Sequence, residues 1–416
     1  MIFSLKPDRW KRLLASLLVA TAMANLGMIW RARMFMFRGY ADFTAFYTAG
    51  KLLSRGQGSR LYETKLQWEV QREFAPAVAI RDGALPYIRP PFQALLFLPL
   101  AYLSYRQAFF VWMGIKLGLL LCIAFLLTRD SPGPRLLSPW TAWGLSLSVA
   151  PIAMDLLQGQ DAILFLLVCL LAFASMARGA DLMAGVWMGL ALFKFHLILP
   201  VILVVALRRQ GRILLGFLTT AVGLLLISAA LVGWETLLHY PRYLWEISHS
   251  RGTGVFQAVD MDNLRGLLLR MSQSPEWRRV AEWVYVPLAV LGVIGAWRVW
   301  SVHRNNPILF VGGFCFCLVV ALLVSFYFSG YDLMLLLLPL LLLSRTVLRS
   351  EQIPKYVKWT FVTTLGFILL VPVFWTWVIY AYLGHLDGPA MLLFAAALAY
   401  CIIVWRKNTP ALSTAA

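Results

Sequence analysis

Long apolar runs separated by short basic stretches dominate the chain. Those near 13–30, 107–127, 137–154, 213–232, 283–300, 308–328, 357–383 and 389–405 approach or exceed the roughly 20 residues with which a helix crosses about 30 Å of hydrocarbon. Shorter runs lie near 162–177, 182–193, 197–207 and 332–344. The stretch 182–207 is apolar except at Phe193-Lys194-Phe195-His196, and it lies between Arg178 and the group Arg208, Arg209 and Arg212. A single span would put one basic flank outside. A hairpin of two arms of about 18 Å each keeps both flanks inside and places Lys194 and His196 at its tip, in the outer half of the bilayer. The pattern therefore predicts an all-α polytopic membrane protein of about twelve transmembrane segments, with both termini inside and two large outer loops, 31–106 and 233–282.

Composition and charge support this parse. Of 416 residues 61% are apolar and 13% charged, too little polar surface to coat a water-soluble fold. A net charge of +18 raises the question of nucleic acid, but the positions of the charges answer it. The segments read as cytoplasmic carry 18 Lys and Arg against 4 Asp and Glu; the outer segments carry 17 against 15, and Lys116 and Lys194 lie within membrane segments. The surplus is thus a topology signal facing anionic lipid headgroups, and no nucleic-acid partner is implied. All five cysteines fall in apolar runs and read as small core residues. The first span, with Lys6, Arg9, Lys11 and Arg12 ahead of it, resembles a signal peptide, yet its apolar run continues to Trp30, so it reads as an uncleaved span. No repeat, linker or low-complexity tract divides the chain, and residues 1–416 read as one integral membrane domain.

Candidate chemistry concentrates at the outer boundary. Asp42 is the first carboxylate after the first span and sits among aromatic residues in Gly39–Lys51. Desolvation there would raise its basicity toward that of a general base for a hydroxyl nucleophile. The alternative is that it caps a helix running from Phe43 to Leu53. In Leu85–Phe92 the prolines enforce an extended segment that presents Tyr87 and Arg89 just before an interfacial stretch, 92–103. Arg89 either binds a phosphate or snorkels to headgroups. The turn Gln158-Gly159-Gln160-Asp161 offers amides suited to sugar hydroxyls, although turns are polar anyway. A cation at membrane depth costs about 3 kcal/mol on insertion scales and is kept for a partner. For Lys194, with His196, that partner is a phosphate or, alternatively, Asp332, which also sits at an outer edge. Lys116 reads as facing a buried polar neighbour. In the second loop Asn263 and Arg265 are placed to meet sugar and phosphate, or simply begin a solvated helix.

Taken together, Asp42-Phe43 with Phe46-Tyr47 and Gly50-Lys51, Leu61-Tyr62, Pro86-Tyr87 with Pro90-Pro91-Phe92, Gly159-Gln160, Gly189-Leu190 with Lys194 and Leu199-Pro200, and Asn263-Leu264-Arg265-Gly266 resemble the integral-membrane glycosyltransferases of the GT-C class. Within that class they are most similar to glycosyltransferase family 87, which contains polyprenyl-phosphate-mannose-dependent mannosyltransferases. The resemblance runs from the first span to about residue 270. It implies an inverting enzyme of the bacterial plasma membrane, with its active site on the outer, periplasmic side. Such an enzyme takes a hexose, mannose first among them, from a polyprenyl-phosphate donor to a lipid-linked or other cell-envelope acceptor. Asp42 would be the general base. Arg89, Lys194, His196 and Arg265 would receive the leaving phosphate, while Tyr47, Tyr87, Gln158, Gln160, Asn263 and Asp332 would meet sugar or acceptor. No cofactor or metal is implied, since monophosphate donors in this class generally need none and basic side chains can take over its electrostatic work. One departure stands out: other members of the class pair acids in the first loop, whereas here Asp42 is followed by Phe43. The competing reading from another class is a polytopic lipid or sugar transporter or flippase, which would be expected to show internal repeats and no heavy outer loops.

Overall fold

The computed structural model describes residues 7–75, 83–129, 138–249, 261–271, 274–300, 306–371 and 386–408. Every regular element among them is helical. Helix α1 (Pro7–Arg31) is followed by α2 (Arg33–Phe37), α3 (Phe43–Ser54), α4 (Thr64–Phe74), α5 (Tyr105–Arg129), α6 (Pro139–Ser146), α7 (Ala150–Gln158), α8 (Ala162–Ala177), α9 (Asp181–Leu190), α10 (Phe195–Leu207) and α11 (Gly211–His249). The last third supplies α12 (Leu264–Arg270), α13 (Pro275–Val299), α14 (Pro307–Val324), α15 (Leu337–Arg349), α16 (Lys355–Leu370) and α17 (Asp387–Asn408).

Eight helices among the described residues are long and apolar enough to cross a membrane, or nine if the bent pair α6–α7 counts as one span. The expected twelve are not reached on this measure. Helices α8 and α16 have 16 residues each, and the second half of the apolar run 357–383 lies outside the described residues. The run 137–154 is not a straight span either, because α6 and α7 meet at 71°. At the centre of the bundle stands α14, 83% buried, whereas the span window of α1 is 11% buried and lies at the edge.

By length and composition Asp181–Leu207 would pass as one span of 27 residues, but its packing requires a reversal. A Cβ on Gly185 would stand 1.9 Å from the Ile213 carbonyl oxygen, one on Gly189 2.5 Å from the Thr220 Cβ, and one on Gly216 2.1 Å from the Leu182 carbonyl oxygen. These glycines let α9 and α11 pack at backbone distance, and the facing residues on α11 advance from Ile213 and Phe217 at Gly185 to Phe217 and Thr220 at Gly189, so the two run parallel. In a straight helix Leu207 would lie about 33 Å beyond Gly185, while the six residues from Leu207 to Ile213 span at most about 21 Å. The chain therefore folds back between α9 and α10. The break is a 3₁₀ turn, Ala191–Lys194, ending in a non-helical Lys194 (φ −116°, ψ 56°).

The far half of α11, beyond a break at Gly233 (φ 81°, ψ 158°), closes over the first loop. Thr236 Oγ1 donates to the Ser59 carbonyl at 2.6 Å and the Tyr240 hydroxyl to the Ile88 carbonyl at 2.9 Å, while just before the break Ser228 Oγ accepts from the Phe92 amide at 3.2 Å. Beneath it the loop 31–106 builds its own aromatic core, with Phe46 and Phe97 stacked at 4.8 Å and Tyr87 fully buried. The stretch 92–103, expected to lie in the interface, forms two 3₁₀ turns, Pro91–Leu96 and Pro99–Tyr102, packed into that core.

Lys116 illustrates how a charge is held inside the bundle. It is fully buried on α5 and donates to Asp155 of α7, at 3.0 Å to Oδ1 and 2.8 Å to the carbonyl. Asp155 Oδ2 in turn accepts from the Ala162 amide at the start of α8. Replacing one member strands the other in a medium that cannot solvate it, so Lys116→Met is expected to cost about 3–5 kcal/mol. The double variant Lys116→Met, Asp155→Asn should recover part of that in thermal unfolding. Equal melting of wild type and the single variant would show that the pair carries no structural weight.

Candidate functional site

The site is assembled around the turn between α7 and α8. Gly159 closes α7 in the left-handed region (φ 66°, ψ 28°), where a Cβ would meet that of Phe43 at 2.6 Å. Only glycine lets the turn press so closely on the start of α3, and Trp112 secures it with a 2.8 Å hydrogen bond to the Gly159 carbonyl. Asp42 is thereby brought against Gln158 and Gln160. Its backbone amide donates to Gln158 Oε1 at 3.2 Å, and its Oδ2 accepts from Gln160 Nε2 at 2.8 Å. Helix α3 begins at Phe43 as expected, but the Asp42 side chain makes no capping bond to it. Asp42 is half-buried, at the rim of a network of buried charges.

In that network Gln160 Oε1 accepts from Arg89 Nη2 at 3.2 Å, so one amide joins Asp42 to Arg89. Arg89 Nη2 also reaches Asp161 Oδ1 at 2.9 Å, and Gln93 Nε2 donates to Asp161 Oδ2 at 2.8 Å. Lys194, at the reversal between α9 and α10, lies 3.2 Å from Asp161 Oδ1 and 2.6 Å from Asp332 Oδ1, with the Tyr331 ring at 4.9 Å. The Ser329 amide fixes the other Asp332 oxygen at 3.1 Å. Arg89, Asp161, Lys194 and Asp332 are all at most 4% exposed. Two cations face two carboxylates, and the quartet is neutral by itself. The ion pair with Asp332, one of the two readings open for Lys194, is therefore present.

The electrostatics arise from this packing. Burial works to lower the Arg89 pKa, but Asp161, followed by Tyr331 and Asp332, outweighs it and leaves the guanidinium above its ordinary value. Burial pushes the Tyr327 phenol up to about 12; a hydrogen bond with Ser329 pulls the other way, and the nearby Asp42 charge adds to the rise. His196, two residues after Lys194, is buried with its ring 5.6 Å from that of Tyr327, and its Nε2 has no hydrogen-bond partner. Arg89 Nε is likewise buried and without one.

The remaining sequence candidates fall elsewhere or serve the scaffold. Tyr87 is a wall residue, its hydroxyl donating to Gln93 Oε1 at 2.8 Å, and so supports the network from behind. Tyr47 donates to the Leu103 carbonyl at 2.6 Å and lines a separate cavity. Asn263 caps α12 by accepting from the Gly266 amide at 3.0 Å and ties it to the Ser325 carbonyl at 2.6 Å. Arg265 is held by Glu282 at 2.6 Å and lies over the Phe326 ring at 3.9 Å. Sequence reasoning passed over Asp161 and Gln93. Asp161 carried a signal, as the carboxylate closing a polar turn directly ahead of an apolar run; Gln93, lone among apolar neighbours, carried little.

The sequence profile of glycosyltransferase family 87 matches residues 87–325, more than half of the chain. The chain belongs to glycosyltransferase family 87. No curated protein and no solved structure matches it. The matched stretch contains Arg89, Gln160, Asp161, Lys194, Asn263 and Arg265 of this family member, but begins after Asp42 and ends before Asp332. Those two residues enter the site through geometry, Asp42 by the Gln160 bridge and Asp332 by its contact with Lys194.

Proposed function

We propose that this family 87 glycosyltransferase moves a hexose, mannose in the first instance, from a polyprenyl-phosphate donor to a lipid-linked or cell-envelope hydroxyl, with inversion, at the outer face of the bacterial plasma membrane. The observation that carries the reading is the bridge from Asp42 through Gln160 to Arg89: a half-buried carboxylate at a rim, with cations held just behind it. In this mechanism Asp42 takes the acceptor proton as the acceptor oxygen attacks the anomeric carbon, and the bond to the prenyl phosphate breaks with its charge received by the cations. Within the site Arg89 Nε and His196 Nε2 are buried nitrogens with no present partner, and Lys194 would turn to the phosphate by relaxing one of its two carboxylate contacts. Gln158 and Gln160 are assigned to sugar hydroxyls. The roles first given to Tyr87 and Asn263 are better filled by structural ones, and Arg265, already paired with Glu282, is the weakest of the cations offered to the donor.

A labelled polyprenyl-phosphate mannose of known anomeric configuration, incubated with the purified protein and a membrane lipid extract, tests the stereochemistry. The expected product is a labelled lipid whose new linkage has the opposite anomeric configuration. A product of unchanged configuration would rule out a single in-line displacement and with it Asp42 as the base for such an attack.

A further inference from the structure

We propose that the first loop carries a second ligand site, separate from the Asp42 network, that binds the phosphate of an anionic lipid headgroup at the membrane boundary. A cavity of about 610 Å³ opens beside the far end of α3, lined by Tyr47, Phe74 and Tyr105 together with Lys51 and Arg106. That volume suits a headgroup with part of its glycerol. Lys51 lies nine residues beyond Asp42 on α3, about 14 Å along the helix axis. Phe43, fully buried, stands between the cavity wall and the turn at Gly159, packed 5.7 Å from Tyr105 and 6.1 Å from Tyr47.

The charge on the wall is unbalanced. Glu73 is its acid, and Arg55 already holds that carboxylate with two contacts, at 2.9 and 2.5 Å. Lys51 and Arg106 have no acidic partner within 4.0 Å among the described residues. They rest on aromatic faces, Lys51 at 5.6 Å from Tyr47 and Arg106 at 4.9 Å from Phe37, which leaves their N–H donors available to an anion. A cavity with two such cations and stacked rings fits a phosphodiester flanked by apolar or sugar surface.

Its height on the molecule names the source of that anion. Arg106 is in the first turn of α5, where a candidate span begins at Tyr105. Tyr102, just before it, is 76% exposed, and Trp30, at the end of the α1 span, is 68% exposed with Arg33 stacked on it at 4.2 Å. Exposed aromatics and arginines at the ends of the first two candidate spans mark the interfacial belt. At that depth the abundant anions are lipid phosphates.

The test counts bound lipid by native mass spectrometry on the full-length, detergent-purified protein titrated with phosphatidylglycerol or phosphatidylcholine. The double variant Lys51→Gln, Arg106→Gln is expected to lose phosphatidylglycerol by about tenfold or more while phosphatidylcholine adducts stay as in wild type, and Lys51→Arg, Arg106→Lys to keep both. Inorganic phosphate at millimolar concentration is the second arm. If it fails to displace phosphatidylglycerol, the site is a lipid site; if it displaces it fully, the site reads the phosphate alone and still stands. Equal phosphatidylglycerol retention in wild type and the Gln variant overturns the proposal, as does equal loss in the Gln and the charge-preserving variants.

Discussion

Asp42→Asn is expected to lower turnover by about 10² to 10⁴, the usual cost of removing a general base, with donor binding and folding largely kept. The reason for expecting an intact fold is specific. The Asp42 carboxylate makes no capping bond to α3, and an Asn oxygen still accepts the hydrogen bond from Gln160 that the carboxylate accepts now. A residue that merely positioned the turn would survive this exchange. Donor binding and single-turnover rate measured side by side on the folded variant separate the two cases, and near-wild-type turnover would move the chemistry to another carboxylate.

The second large effect concerns Lys194. Lys194→Met leaves Asp332 and Asp161 facing each other without their shared cation, a loss expected to cost about 3–5 kcal/mol of stability. A drop in activity from that variant alone would therefore say little about the donor. The informative variant is Lys194→Met with Asp332→Asn, which removes one charge of each sign and leaves Arg89 balanced by Asp161. Thermal unfolding of the double variant should recover most of the lost stability. If Lys194 meets the donor phosphate, its donor KM should nevertheless remain well above wild type while the acceptor KM moves little. Recovery of stability together with a wild-type donor KM would leave Lys194 as a structural ion-pair member.

Much of this fold is legible along the chain because crossing a membrane is a matter of length and apolarity, which local composition records. The reversal at Lys194 is also legible, from basic flanks that ask to lie on one side. The bend between α6 and α7 is less so: Ser146, Ser148 and Pro151 interrupt the run 137–154 only mildly, yet the two helices meet at 71°. Asp42, Arg89, Gln160 and Lys194 announce themselves as polar groups at a boundary. What cannot be read locally is their wiring. Arg89 and Asp161 are 72 positions apart, and Lys194 and Asp332 are 138 apart, so their pairing is a property of helix packing. The same holds for Asn263 and Arg265, whose polar side chains suit a ligand and are spent on Ser325 and Glu282.

The most direct measurement offers the purified protein a panel of polyprenyl-phosphate sugars carrying mannose, glucose, galactose or arabinose, alongside nucleotide sugars, with a membrane lipid extract as acceptor. Released prenyl phosphate and transferred sugar are counted together. At least one prenyl donor is expected to give the two in equal amounts, with both suppressed by Asp42→Asn and neither obtained from nucleotide sugars. Transfer from a nucleotide sugar, or movement of intact prenyl donor across vesicles without release of prenyl phosphate, would contradict the proposed reaction.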